Sequence, residues 1–306
     1  MATRFEIVVC GQNEPALRAA AEEALDEVQR LEAQLSLYRP DSEVAHLNAR
    51  AARGWVCVEP GLFRLLQQAK KLSEETSGAF DITVAPLVRC WGFMGGSGKQ
   101  PGKTALAEAR KCVGMNLVEL DAESFRVRFA RDGVMLDFGA LGKGYAIERA
   151  VELLREADIT SAIIHGGTST AYGLGTPPDE TAWKIGIEMP PQSETDSPAP
   201  LAVVELHNEA LSVSAVWGKS FENKGKTCGH VIDPRTGYPA AAADLAAVVL
   251  ASATETDALS TALLTLGLDG HEQICNLRPE IRSLAAKRLS EYRQLTIKAH
   301  RIALMR

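Results

Sequence analysis

The run that most constrains this chain lies in its last third and reads Cys228-Gly229-His230-Val231-Ile232-Asp233-Pro234-Arg235-Thr236-Gly237-Tyr238-Pro239. The apolar pair at 231–232 predicts a short buried strand. Asp233-Pro234 ends it, because proline removes a ladder donor and holds the preceding residue extended. A turn follows at Thr236-Gly237. Three titratable side chains thus lie on a stiff loop at a strand end, where sites are commonly built. The alternative is a structural turn with an internal Asp–Arg pair.

His230 is the best general-base candidate in this run. Its unperturbed pKa of about 6.5 suits proton removal from a hydroxyl at neutral pH. Asp233 is then expected to orient the loop or the histidine, and Arg235 to hold the loop or a phosphate. The alternative is a core histidine with a satisfied hydrogen bond.

The composition is that of a soluble globular protein. The chain has 306 residues, of which 46% are hydrophobic and 24% charged, enough to bury a sizeable core. A net charge of −6 argues against nucleic acid as the main partner. The six scattered cysteines form no C-x-x-C pair and predict reduced thiols. No apolar run approaches about 18 residues and the N-terminus lacks a signal pattern, so we expect no membrane anchor and a cytoplasmic location.

Apolar spacing predicts the main helices and strands. The expected helices are Glu14–Leu35, Pro60–Glu75, Lys143–Glu156 and Glu255–Leu266. The expected strands are Phe5–Val9, Val118–Phe129, Val134–Phe138, Ala162–His165, Trp183–Glu188, Leu201–Leu206 and Ala243–Ser252, with a hairpin turn at 131–133. We also expect a surface loop at 189–200 and a basic helical tail at 279–306. Strands and helices do not alternate strictly, which favours an α+β fold in a single domain over residues 1–306.

A glycine-rich segment, Gly139-Ala140-Leu141-Gly142-Lys143-Gly144, follows a predicted strand and opens a predicted helix. Small residues there let backbone N–H groups approach a pyrophosphate, and the helix N-terminus favours negative charge. Lys143 is expected either to neutralise phosphate charge or to face solvent. The alternative for the whole segment is a tight strand-to-helix turn.

Asp257 and Thr261 are four positions apart on a predicted helix and therefore project from one face. A carboxylate and a hydroxyl at that spacing offer two hard oxygen ligands of the kind that Mg2+ prefers. The alternative is that Asp257 serves as a helix cap or a partner of the helix dipole.

Four further segments accompany the run at 228–239, in order along the chain. They are Leu35-Ser36-Leu37-Tyr38-Arg39-Pro40-Asp41-Ser42-Glu43, Thr76-Ser77-Gly78-Ala79-Phe80-Asp81-Ile82-Thr83-Val84-Ala85-Pro86-Leu87 with Trp91-Gly92-Phe93, Leu136-Asp137-Phe138-Gly139-Ala140-Leu141-Gly142-Lys143-Gly144-Tyr145-Ala146 and Thr256-Asp257-Ala258-Leu259-Ser260-Thr261-Ala262-Leu263. Over about Met1 to Gly267, the set resembles the ApbE family of FAD:protein FMN transferases. Such enzymes attach FMN covalently to a Thr or Ser of an acceptor flavoprotein, using FAD and Mg2+. The resemblance implies an α+β fold with two intimately packed lobes, mainly antiparallel sheets and the FAD site between them.

The resemblance also implies site residues. Asp257 and Thr261 would bind the metal, helped by Ser260 and by the backbone carbonyl of Gly142. The FAD site would include Tyr38, whose ring could stack on flavin or adenine or simply cover the core. Other positions that match ligand-contacting or ligand-lining parts of the family are Met1, Ala79, Phe80, Asp81, Tyr145 and Val231, to which the loop argument adds Gly139 and Lys143. Asp81 is expected to accept hydrogen bonds from ribose or ring N–H groups.

Three activities follow as alternatives. The first is FMN transfer from FAD to the acceptor hydroxyl, with AMP released. The second is FAD pyrophosphatase activity, in which water replaces the acceptor. The third is non-catalytic FAD binding, which departures from the family pattern at Thr168 and Ala215 favour. The retained Asp257, Thr261 and His230 argue against it. The sequence does not identify the acceptor or the oligomeric state.

Overall fold

The computed structural model of the chain describes residues 3–190, 199–217, 220–223, 226–288 and 295–305. The chain divides into two compact units. Unit 1 consists of Met1–Glu32, Leu141–Ala215 and Ala242–Arg306, and unit 2 of Ala33–Ala140 and Val216–Ala241. The prediction of a single domain over 1–306 stays a prediction, and each unit is described by itself.

The described strands and helices follow in chain order. The strands are β1 Phe5–Val9, β2 Val56–Cys57, β3 Val118–Asp121, β4 Arg126–Phe129, β5 Ala162–Gly166, β6 Thr170–Leu174, β7 Trp183–Glu188, β8 Pro200–Leu206, β9 Glu209–Ala215, β10 Ser220–Asn223, β11 Lys226–Gly229, β12 Leu245–Leu250, β13 Arg282–Arg288 and β14 Leu295–His300. The helices are α1 Glu14–Leu35, α2 Glu43–Arg50, α3 Pro60–Glu75, α4 Ala85–Cys90, α5 Lys103–Arg110, α6 Gly142–Glu156, α7 Ala253–Leu266 and α8 His271–Cys275, with 3-10 turns at Ile82–Val84 and Met115–Leu117.

Unit 1 is built on a seven-stranded sheet in the order β1-β5-β6-β9-β12-β13-β14. Every neighbouring pair in this sheet is antiparallel. The strand β12 is buried along its whole length, because it lies inside the sheet with side chains packed on both faces. Apolar residues of α1 and α6 pack with those of β5 and β6 in one core cluster.

A second core cluster of unit 1 joins the sheet to the antiparallel pair β7 and β8. It contains Leu201 and Val204 of β8 together with Leu245 of β12 and Leu284 of β13. The alternating burial of β8 is the pattern of a strand with one face on a core. The central strands of the large sheet are therefore covered by packed side chains on both faces.

Unit 2 combines short helices with two small antiparallel sheets, β2-β4-β3 and β10-β11. The helix α3 buries its apolar stripe, from Leu62 to Leu72. A separate cluster gathers aromatic rings: Trp91 lies 6.3 Å from Phe221 and 5.9 Å from Tyr238 between ring centroids, and Phe93 lies 5.7 Å from Phe221. Ile232 packs in the same cluster and so fixes the segment 228–239 against these aromatic rings.

The architecture confirms the predicted α+β class with mainly antiparallel sheets. The predicted bounds of β1, α1, α3 and β7 are the observed ones. Within the described parts of the chain, no helix combines the length and the apolar content that crossing a bilayer requires. Most of the predicted loop at 189–200 lies outside the described residues.

Two predictions of local structure were wrong. The tail is not helical where it is described: β13 pairs with β12 and β14 pairs with β13, so these segments extend the large sheet. Pairing in a sheet overrides a weak helical spacing of apolar residues. The predicted hairpin at 131–133 is also absent from the described structure, because the turn falls at 122–125 between β3 and β4 while 134–138 forms no strand.

Candidate functional site

The helices α6 and α7 of unit 1 begin side by side, and a glycine makes this possible. A Cβ atom at Gly144 would lie 2.1 Å from the carbonyl oxygen of Ala253 and 2.8 Å from the Cβ of Asp257. Both neighbours are close to the backbone and cannot move aside cheaply. Gly144 of the glycine-rich segment therefore serves helix packing within unit 1.

Each of these helices is capped by a carboxylate from the other. Leu141, the N-cap residue of α6, provides no side-chain cap, and the N–H of Gly144 instead donates to Asp257 Oδ2 at 3.0 Å. In the reverse direction, Glu148 of α6 accepts from the N–H of Thr254 and from the hydroxyl of Ser252, both at 2.8 Å. The alternative reading of Asp257 as a cap is thus part of its geometry, although it caps α6 and not its own helix.

Asp257 is nearly fully buried, at 3% exposure, and carries a second polar contact. The ammonium of Lys143 lies 3.4 Å from Asp257 Oδ1. The N-terminus of α6 adds a partial positive charge beside the same carboxylate. A buried carboxylate requires such compensation, and here it comes from an amide, an ammonium and a helix end.

Hydroxyl groups surround the backbone of Asp257. Ser260 Oγ and Thr261 Oγ1 donate to the carbonyl oxygen of Asp257 at 3.0 and 3.2 Å. Ser214, on β9, shares hydrogen bonds with Ser260 Oγ at 2.8 Å and with Thr261 Oγ1 at 3.3 Å. The structure therefore brings together Lys143, Asp257, Ser260 and Thr261, four residues that the sequence placed at the site.

This donor set suits Mg2+. It offers one carboxylate and several hydroxyl oxygens, which are hard ligands, and Mg2+ usually takes one or two protein carboxylates with phosphate and water completing its shell. Among the described residues, no three His, Cys, Asp or Glu side chains gather as an all-protein cage for a softer metal would require. Asp257, Ser260 and Thr261, with the carbonyl of Gly142 at the start of α6, are the residues that would hold the ion.

The loop after β11 in unit 2 is held by its own side chains. Asp233 Oδ1 accepts from the N–H and the Nε of Arg235 at 2.9 and 3.0 Å, and Oδ2 accepts from Nη2 at 3.0 Å. Ile232 bridges to Pro239, and the N–H of Asp233 donates to the carbonyl of Tyr238 at 2.8 Å. The predicted Asp–Arg pair is present, and it stiffens the segment that begins with the exposed His230.

Two side chains from elsewhere in unit 2 hold the same loop by its backbone. Trp91 Nε1 donates to the carbonyl of Gly237, and Arg110 Nη2 donates to that of Arg235, both at 2.8 Å. Gly237 has φ +81°, and a Cβ there would lie 2.9 Å from the side chain of Arg110. The turn therefore needs glycine, and the sequence did not indicate either outside contact.

Asp81 is buried, at 7% exposure, and its carboxylate is fully used within unit 2. Oδ1 accepts from the N–H and the hydroxyl of Thr83 at 2.8 and 2.6 Å, and Oδ2 accepts from the N–H of Met115 at 3.0 Å and from Ser73 at 3.4 Å. Burial raises the pKa of Asp81, and these hydrogen bonds oppose the rise. Ala79 and Phe80 beside it are buried as well. Direct contact of these three residues with FAD stays a prediction.

Tyr38 presents an open ring in unit 2, at 65% exposure. Partial burial of the phenol, and after it the negative charge of Asp137, raise its pKa. Asp137 Oδ1 also accepts from the N–H of Gly139 at 2.8 Å. Tyr38 and the exposed Gly139 thus share Asp137 as a neighbour. Because the ring of Tyr38 is exposed and not packed in a core, one face is open for stacking.

The remaining predicted residues are placed as follows. Val231 is half-buried, and Tyr145 packs partly buried against the core cluster of α1 and α6. Met1 lies outside the described residues. Sequence reasoning missed Ser214 and Glu148; the alternation of serine along Leu211-Ser212-Val213-Ser214 was the available signal for the first, whereas no local signal marks the second.

Comparison with known proteins indicates a single family. The family model described as the ApbE family matches residues 1–285. A relative named FAD:protein FMN transferase from Treponema pallidum is 31% identical over 88% of this chain and 76% of its own. Another of that name, from Klebsiella pneumoniae, is 30% identical over 90% of this chain and 79% of its own.

Solved structures give the same result. The ApbE protein of Thermotoga maritima superposes with a TM-score of 0.86 at 28% identity, over 98% of this chain and 94% of its own. The flavinyl transferase ApbE of Pseudomonas stutzeri superposes with a TM-score of 0.81 at 26% identity, over 98% of this chain and 95% of its own. The resemblance found in the five segments is confirmed, and the chain belongs to the ApbE family.

Proposed function

We propose that this protein transfers FMN from FAD to a Thr or Ser hydroxyl of an acceptor flavoprotein, with Mg2+, and releases AMP. The transferase class rests on the relatives, which carry that name over most of this chain. The acceptor residue and the leaving group rest on the resemblance to the family, and the metal rests on that resemblance together with the residues of the site.

The observation that carries the proposal is the surroundings of Asp257. A buried carboxylate at a helix N-terminus, on a residue whose backbone carbonyl accepts from the hydroxyls of Ser260 and Thr261, is suited to a hard cation and to phosphate oxygens. When bound, Mg2+ would neutralise charge that grows on the pyrophosphate in the transition state. Such positioning and charge stabilisation dominate phosphoryl transfer.

His230 takes the proton from the attacking hydroxyl in this proposal. Its exposure lets a protein side chain reach it, and the loop that follows it is stiffened by the pair of Asp233 and Arg235. The hydroxyl oxygen attacks the phosphorus on the FMN side of FAD. A new phosphoester bond forms as the pyrophosphate bond breaks, and the electron pair leaves with AMP.

One further part of the proposal concerns the ring systems of FAD. Tyr38 stacks on a ring of FAD, and its open aromatic face supports this role.

Incubation with FAD and Mg2+ tests the function. AMP should appear only when metal and FAD are both present, and its yield should rise when a candidate acceptor encoded beside the gene is added. Mass spectrometry of that acceptor should then show FMN on one Thr or Ser peptide. The Asp244→Asn variant, which changes another aspartate of unit 1 that pairs with a lysine, is the matched control and should stay active.

FAD pyrophosphatase activity is the second candidate, because the exposure of His230 also admits water as the attacking group. AMP release at an equal rate with and without acceptor would favour it. Failure to release AMP under any condition would leave FAD binding without catalysis.

A further inference from the structure

Lys143 makes a contact inside unit 1 that neither of its expected roles includes. Its side chain is only 20% exposed, so it does not simply face solvent. The ammonium lies 3.4 Å from Asp257 Oδ1, inside unit 1. A negative charge beside this ammonium is thus supplied by the protein itself.

The position of this lysine on its helix is unfavourable without Asp257. Lys143 is the second residue of α6, and the first turn of that helix holds no acidic residue. A cation at a helix N-terminus is opposed by the helix dipole. The buried carboxylate of Asp257 offsets that cost, and the lysine in turn offsets the burial of the carboxylate.

We propose that Lys143 holds the place of the divalent cation: its ammonium neutralises Asp257 in the metal-free protein and gives way when the cation binds. The identity of that cation rests on the proposed function, whereas the pairing does not. Mg2+ approaches its oxygen ligands to about 2.1 Å. An ammonium at 3.4 Å from the same carboxylate oxygen therefore competes with the ion for one negative charge.

A double-mutant cycle in metal-free protein tests the pairing. Lys143→Met, Asp257→Asn and the double variant are unfolded by denaturant in the presence of a chelator. Lys143→Met should lower the unfolding midpoint of the parent and should lower it much less in the Asp257→Asn background. Equal losses in both backgrounds would overturn the pairing. Lys143→Arg keeps the charge and should recover part of the loss.

Metal affinity tests the displacement. Mn2+ takes the same hard ligands as Mg2+ and is followed by electron paramagnetic resonance on the full chain without FAD. Removal of the competing charge in Lys143→Met should tighten Mn2+ binding by about tenfold. The matched control is Lys287→Met, which removes the same charge from a lysine that is paired with Asp244 at 2.7 Å in the same unit. It should bind Mn2+ as the parent does.

The outcomes separate this inference from the proposed function. Unchanged or weaker Mn2+ binding by Lys143→Met overturns the displacement, and a parallel loss of FAD affinity would make Lys143 a phosphate ligand instead. If no variant binds Mn2+, the metal is removed from the proposed function and the displacement fails with it. The unfolding cycle decides the pairing in either case.

Discussion

Asp81 in unit 2 and Asp257 in unit 1 are both buried aspartates that the sequence placed at the site, yet their surroundings differ. The two oxygens of Asp81 accept four hydrogen bonds from neutral groups of the protein. Among the described residues, the two carboxylate oxygens of Asp257 contact one backbone amide, that of Gly144, and one ammonium, that of Lys143. A carboxylate has about four acceptor positions.

The difference lies in how much acceptor capacity each carboxylate has left. Asp81 has used its acceptor capacity to join a 3-10 turn to the segment at 115, so a ligand would have to replace an existing bond. The carboxylate of Asp257 makes two contacts within the described part of the chain, to the N–H of Gly144 and the ammonium of Lys143, and so retains acceptor positions. Burial alone does not distinguish the two, whereas the count and the charge of their donors do.

Asp257→Ala should give the largest effect. We expect AMP release to fall by roughly 10³-fold or more, because the main charged ligand of the cation is lost. A Mg2+ titration of AMP release measures this, with Asp244→Ala as the control in unit 1. Parent-like activity would place Asp257 with Asp81 as a structural carboxylate and remove the contrast.

His230→Ala should lower the transfer rate by roughly 10²- to 10⁴-fold, the usual range for loss of a general acid–base group. The affinity for FAD, measured by fluorescence titration, should change far less. A variant whose FAD affinity falls in step with its rate would make His230 a binding or structural residue, and Asp233 would then be the next candidate base.

Asp81→Asn should reduce stability and leave FAD affinity unchanged. Replacing one acceptor oxygen by a donor leaves buried N–H or O–H groups unsatisfied, at a cost of about 1–3 kcal/mol in the free energy of unfolding. Denaturant unfolding at neutral pH measures the loss. Weakened FAD binding at unchanged stability would instead return Asp81 to the ligand site.

The raised pKa of Asp81 also fixes the sign of a pH effect. Because the folded protein holds the proton more tightly than the unfolded chain, the contribution of Asp81 to stability is present below the ordinary aspartate pKa and is lost as pH rises through the folded value. Relative to Asp81→Asn, the parent should therefore lose stability as pH increases across this acidic window. A relative gain over the same window would contradict the direction.

Trp91→Phe should give the smallest of these effects. It keeps an aromatic ring and removes the bond from Nε1 to the carbonyl of Gly237, worth about 1 kcal/mol. If the stiff loop positions His230, the transfer rate should fall by about threefold to tenfold at constant FAD affinity. Trp55→Phe, which changes an exposed tryptophan of unit 2 beside Arg126 and Arg128, should leave the rate unchanged.

The fold could be predicted where local periodicity is strong. The bounds of α1 and α3 follow from long apolar stripes, and those of β1 and β7 from short alternating runs. The tail could not be predicted, because Leu284 and Leu295 also fit a helical spacing and only the free edge of β12 selects the extended form. Of the turns, the one at 122–125 contains Phe125 with φ +46°, a conformation that its residue type does not indicate.

The sequence indicated which residue types lie together around Asp257, and it did not indicate how they pair. The spacing of Asp257 and Thr261 places both on one helix face, and the structure brings Ser260 to the same carbonyl. The contact of Lys143 with Asp257 joins distant parts of the chain, so no local pattern reveals it. The saturation of Asp81 depends on Met115, which is equally remote in sequence.

The exchange of caps between α6 and α7 affects how lost function would be recognised in this family. Asp257 supports the start of α6 while Glu148 supports the start of α7, so selection for folding alone would retain the aspartate after catalysis had ceased. An aspartate at this position is therefore weak evidence that a related chain is active. The hydroxyls of Ser214 and Thr261, which cap no helix in the described structure, are more informative markers.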